Sequence, residues 1–84
     1  MAVIRDEKQR REMVLRLKRI EGQLRGIQSM IEAGEDCESV VQQISASRRA
    51  LDKAFFNVLA CAVHSEASGD KRVQHAAQLL AKFG

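Results

Sequence analysis

The sequence predicts an all-α protein whose helices are too long to close on themselves and must pack against further copies of the chain. Three observations carry this. The 84 residues include no proline, with 45% hydrophobic and 30% charged side chains, a balance that suits long amphipathic helices. Apolar residues in the first half recur at alternating spacings of four and three, the a/d pattern of helices packed along a seam. The second helical segment runs for close to 30 residues. That is about 45 Å of helix, whereas a compact globule of this chain length has a radius of gyration of only about 12 Å.

The first helix is expected from about Asp6 to Glu32. Met13, Ile20 and Ile27 form one seven-residue series and Leu17, Leu24 and Ile31 the other. Ala33-Gly34 ends it, with Gly34 suited to the left-handed residue after a helix. Asp36 then serves as N-cap of the second helix and places Cys37 in its first turn. That helix continues to about Ser65 through Val40, Ile44, Ser47, Leu51, Ala54, Val58 and Ala62. Gly69-Asp70 makes a second break and cap. A short third helix follows from about Lys71 to Phe83, carrying Val73, Ala76, Ala77, Leu80 and Phe83. Phe55 and Phe56 point to different sides of the second helix, so burying both requires more than one interface, one of them available on the third helix. A chain this short buries too little core alone. The expected folding unit is one domain over residues 1–84, assembled as an antiparallel helical dimer.

Charge is unevenly placed. The whole chain is +3. Residues 1–25 carry +4, residues 26–41 carry −4 through Glu32, Glu35, Asp36 and Glu38, and residues 42–84 carry +3. Arg5, Lys8, Arg16 and Arg19 fall in one stripe beside the apolar seam, and Arg11, Lys18 and Arg25 in a second. Such a flank either lies along phosphates or is an ordinary solvated face. No aromatic interleaving and no helix-turn-helix signature point to base stacking or standard groove reading. No apolar run approaches a membrane span, and MAVIRDEKQRRE lacks the apolar core of a signal peptide, so a cytoplasmic location is expected. Two cysteines without an export signal read as thiols. No Ser/His/Asp set, phosphate loop or hydrolase motif is present, so no enzymatic activity is expected.

The stretches RLKRIEGQLRGI (Arg16 to Ile27) and IEAGEDCESVVQQISASRRAL (Ile31 to Leu51) strongly resemble the CsoR/RcnR/FrmR/CstR family of bacterial repressors. The features that agree are R-I-x-G-Q, the D-C at the loop and Q-Q-I-S-A. The resemblance implies a three-helix protomer, an antiparallel four-helix dimer core, and dimers paired into tetramers. It implies binding to double-stranded operator DNA and release by an inducer. It places Arg16 and Arg19 at helix 1 positions implicated in DNA contact and Lys53 at a basic position on helix 2. Lys18, from the second stripe, joins that surface.

The sensing residues match the family only in part. In its copper-sensing branch the cysteine at the start of helix 2 works with a histidine 25 residues on and a cysteine 29 residues on, both from the partner protomer. Here those places hold Ala62 and Glu66. The persulfide-sensing branch also needs a cysteine at Glu66, and the nickel/cobalt branch adds histidines absent before His64. Cys61 lies one residue before Ala62, about 100° around the helix, and reads either as a packing residue or as a rotated thiol donor. His64 reads as a surface residue or a weak ligand. Glu66 reads as a solvated helix-end residue or an oxygen donor for a harder metal. His75 is unassigned. Cys37 remains the expected sensor: its helix N-terminus favours the thiolate, while Glu35, Asp36 and Glu38 oppose it, with Arg48 or Arg49 of a partner able to shift the balance. The formaldehyde-sensing branch also uses an N-terminal proline, and Ala2 is not proline. The residues therefore favour a thiol-directed inducer (electrophile, aldehyde or reactive sulfur) acting at Cys37. The alternative is a metal-responsive repressor in which a transition metal is a ligand, with no cofactor required. A helical protein handling thiols or metal without touching DNA is the rival from another class.

Overall fold

The structure is a computed structural model and describes residues 3–64 and 68–84. Three helices follow in order: α1 (Glu7–Glu32), α2 (Cys37–His64) and α3 (Gly69–Phe83). α1 and α2 form an antiparallel hairpin, and α3 packs against α2. The expected helices are all present, with corrections at the ends. Asp6 caps α1 from outside instead of starting it, its carboxylate accepting from the amides of Lys8 at 2.8 Å and Gln9 at 3.3 Å. Ser68, not Gly69-Asp70, caps α3, its hydroxyl accepting from the Lys71 amide at 3.2 Å. Gly69 and Asp70 lie inside that helix's first turn, where an acidic side chain suits the dipole. Ser65, the expected end of α2, lies outside the described residues.

The turn between α1 and α2 has its chemistry in the sequence. Gly34 takes φ of 75°, the left-handed conformation that only glycine adopts without penalty. The Gly34 amide donates to the Ile31 carbonyl at 3.1 Å and the Glu35 amide to that of Met30 at 3.0 Å. These paired bonds are a Schellman motif, which satisfies the last carbonyls of α1. Asp36 then starts α2, its carboxylate accepting from the Ser39 amide at 3.2 Å and the Ser39 hydroxyl at 2.8 Å.

The seam divides into two rows. Ile20 is 4% and Ile27 is 6% exposed, and Ser47 and Ala54 of α2 are buried as well. Each such isoleucine contributes about 1.5–3 kcal/mol. The small Ser47 and Ala54 let the helices approach closely, and the buried Ser47 hydroxyl bonds Gln23 Oε1 at 3.1 Å, fixing the register of α1 against α2. The other row is only partly covered by the described residues. Leu24 is 46% and Leu51 is 50% exposed, and Leu17, Ile31, Ile44 and Val58 are exposed with them. The molecule is correspondingly thin, 52 × 28 × 15 Å, with a radius of gyration of 16.5 Å, far above the compact value of about 12 Å. Its shortest extent is little more than one helix diameter of about 10–12 Å, so the protomer is a single layer of helices.

The face of α3 differs from the expected one. His75, Ala76 and Leu79 are the half-buried positions, whereas Val73, Ala77, Leu80 and Phe83 are exposed. Phe55 turns toward α3 in an apolar groove with Leu59, Leu79 and Phe83, while Phe56 stays exposed, their rings edge-to-face at 5.2 Å. The expected divergence of the two phenylalanines is therefore present.

Candidate functional site

Functional side chains collect at the two ends of the hairpin. At the turn, Cys37 is the first residue of α2, and its thiol is free and exposed. Glu32, Glu35, Asp36 and Glu38 are exposed around it. The Ser39 hydroxyl, and then the Ser39 amide, hold the Asp36 carboxyl below its ordinary value. A lowered pKa means that the cap is at full strength above the ordinary carboxylate value and is lost as pH falls through the folded-state value below it. Asp36→Ala should therefore make the Ser39 amide exchange several-fold faster than the parent's at neutral pH. The two proteins should converge in acid, where Asp36 protonates in the parent. Equal exchange at neutral pH would show that this cap does not hold the turn bearing Cys37.

At the other end lies an open cleft of about 1300 Å³, walled by the segment before α1, the first turns of α1, the end of α2, and α3. Cys61, His64, His75 and Met13 all face it. Cys61 is half-buried and its Sγ–H donates to the Val3 carbonyl at 3.5 Å. His64 is exposed, as its sequence position suggests, and Ala62 is half-buried. Sequence pattern alone assigns His75 no role. It reaches the cleft because α3 turns a different face inward from the one its apolar residues suggest. Glu66 lies outside the described residues.

The two ends are far apart. Cys37 and Cys61 sit 24 residues apart on one helix, about 36 Å at the rise of an α-helix. Among the described residues no group of three or more His, Cys, Asp or Glu side chains is close enough to hold a metal ion. Thiolate and imidazole are the right donor types for a soft metal, but the described residues of one chain do not bring three such groups together. A complete site drawing on both ends needs a second chain.

The basic surface is on α1. Lys18, Arg19 and, on α2, Lys53 are exposed. Arg16 is half-buried and lines the cleft wall, so it belongs partly to that end of the hairpin. Arg49, a possible counter-charge for Cys37, is exposed and donates to Ser45 Oγ at 3.0 Å. No helix among the described residues is long and apolar enough to cross a membrane.

Comparison with known proteins gives these surfaces a context. The copper-sensing transcriptional repressor CsoR of Bacillus subtilis is 37% identical over 71 residues, covering 79% of this chain and 70% of that protein. The copper-sensing transcriptional repressor RicR of Mycobacterium tuberculosis is 50% identical over 44 residues, 52% of this chain and 46% of that one. Among solved structures, the copper-sensing repressor CsoR with Cu(I) from Geobacillus thermodenitrificans superposes with a TM-score of 0.75 at 31% identity, over 96% of this chain and 92% of that one. A variant of the formaldehyde-responsive regulator FrmR from Salmonella enterica shares the fold, with a TM-score of 0.65 at 24% identity over 94% of each chain. The family model described as metal-sensitive transcriptional repressor matches residues 9–83, and the chain belongs to that family.

Proposed function

We propose that this protein is a repressor that binds double-stranded operator DNA as an antiparallel dimer or dimer of dimers. Release follows when a soft transition-metal ion binds Cys37 together with donors from the far end of α2 in a second copy. The observation that carries the reading is the placement of Cys37, an exposed free thiol opening α2, amid acidic residues that draw cations. Antiparallel pairing of two hairpins would bring that end of one chain to the cleft end of the other, where Cys61 and His64 supply the only thiol and an exposed imidazole of the far end of α2. Thiolate and imidazole together suit Cu(I) or Zn(II). When bound, the ion would tie two chains into one geometry, and a ligand that favours one arrangement of helices shifts DNA affinity by that preference.

The metal-sensitive family and the copper-sensing relatives support this reading over the thiol-directed inducer that the residues alone favoured. Ala62, which offers no donor where the copper branch has one, keeps the thiol-directed inducer as the second reading. A gel shift with the protein's own upstream region tests the proposal. Cu(I) should weaken the parent's complex by about tenfold or more, while Cys37→Ser should bind DNA as the parent does and fail to release it. Absence of any salt-sensitive complex would favour a thiol- or metal-handling protein that ignores DNA. Release of Cys37→Ser by copper would remove Cys37 from the sensor. Release of the parent by formaldehyde or another electrophile, with copper inert, would restore the thiol-directed reading.

A further inference from the structure

Residues 3–6, just before α1, are tied down from two sides. Val3 to Asp6 form one wall of the cleft that Cys61, His64 and His75 face. Arg10, on the first turn of α1, donates from Nε to the Ile4 carbonyl at 3.0 Å and from Nη2 to the same oxygen. Cys61, near the end of α2, donates its thiol hydrogen to the Val3 carbonyl at 3.5 Å. Asp6 closes the segment as the cap of α1. Four residues thus connect the end of α2 to the first turn of α1.

The two ties differ in chemistry. The Arg10 bonds come from a permanent cation with a fixed fork of donors. The Cys61 bond comes from a weak donor that loses its hydrogen whenever the sulfur reacts. A soft metal ion takes the sulfur as thiolate and sends the proton to solvent; an alkylating agent leaves a thioether. Either product places an acceptor sulfur against an acceptor carbonyl, and the contact turns from attractive to repulsive.

We propose that Val3–Asp6 is a thiol-latched strap, closed by the Cys61 thiol over the cleft and opened when that thiol is metallated or alkylated. Its far end is continuous with the basic stripe, since Arg5 lies in the strap and Lys8 in the first turn beyond it. Opening the strap therefore displaces charge at the start of the proposed DNA surface. This last consequence rests on the repressor reading; the latch itself does not.

The test uses the full chain carrying Cys37→Ser, so that Cys61 is the sole thiol, and N-ethylmaleimide as probe. The thiol adds across the maleimide double bond, an S–C bond forms, and the hydrogen ends on the adjacent carbon, so no oxidant is required. Trypsin cleavage after Arg5 and Lys8, followed by mass spectrometry, reads the strap. Modification should accelerate cleavage by about threefold or more, with sedimentation unchanged. Without reagent, a Cys61→Ala exchange in the same background should give the same acceleration, whereas Cys61→Ser, which keeps a hydroxyl donor, should cleave as slowly as the unmodified thiol. Equal cleavage in all four forms overturns the latch, as does acceleration in Cys61→Ser equal to that in Cys61→Ala. If cleavage follows the predicted order while no form binds operator DNA, the strap stands and the repressor reading fails.

Discussion

Leu24→Asp should abolish assembly. Leu24 is 46% exposed in the isolated chain, on an apolar row with Leu17 and Ile31 that the described residues of its own chain leave about half open. If a second hairpin covers that row, an aspartate there is buried without a partner and costs several kcal/mol at each copy. That is comparable to the whole stability of a small domain, about 5–15 kcal/mol. The expected result is a monomer by sedimentation with most of its helical circular dichroism lost at micromolar concentration. Leu51→Asp, on the matching row of α2, should behave alike. Val73→Asp is the control: Val73 is 69% exposed on α3, outside both rows, and should leave assembly intact. A well-folded dimer carrying Leu24→Asp would place the interface elsewhere.

The second large effect concerns DNA. The double replacement Arg16→Ala with Arg19→Ala should make the dependence of log affinity on log salt less steep by about two units for each chain bound to DNA, about four for a dimer, close to one for each phosphate contact removed. Arg19 is exposed and should act only through the phosphates. Arg16 is half-buried in the cleft wall, so its replacement should also raise cleavage in the Val3–Asp6 segment, while Arg19→Ala alone should not. Unchanged affinity and unchanged salt slope in the double variant would take α1 out of the DNA-binding surface.

Both predictions depend on features that were partly readable in the sequence. The alternating four-three spacing revealed the seam from Met13 to Ile31, since periodicity reports which residues share a helix face. It did not reveal that Ile20 and Ile27 are buried in the hairpin while Leu17 and Leu24 stay exposed on it. A two-row seam looks the same whichever neighbour each row meets. The Gly34 turn and the Asp36 cap were legible because a left-handed residue and a capping carboxylate are local requirements. Local signals mislead at α3: Gly69-Asp70 has the composition of a break, but Ser68 caps the helix, and His75 is turned inward. The Val3–Asp6 segment was invisible. Four residues have no period, and the bonds that hold it join side chains to backbone carbonyls across the fold.

The single-layer thickness of 15 Å has a consequence for how this protein persists in a cell. When much of a core is completed only by another copy, folding and association become one reaction, and stability acquires a dependence on concentration. Every tenfold dilution would then weaken the folded dimer by about 1.4 kcal/mol, as a mild denaturant would. If this protein assembles so, a freshly made chain at low abundance would be an incomplete fold, open to proteolysis until it meets a second copy. The lower limit on how sparsely a cell could hold such a protein would then be set by the exposed row of leucines, isoleucines and valine, independently of its affinity for any ligand.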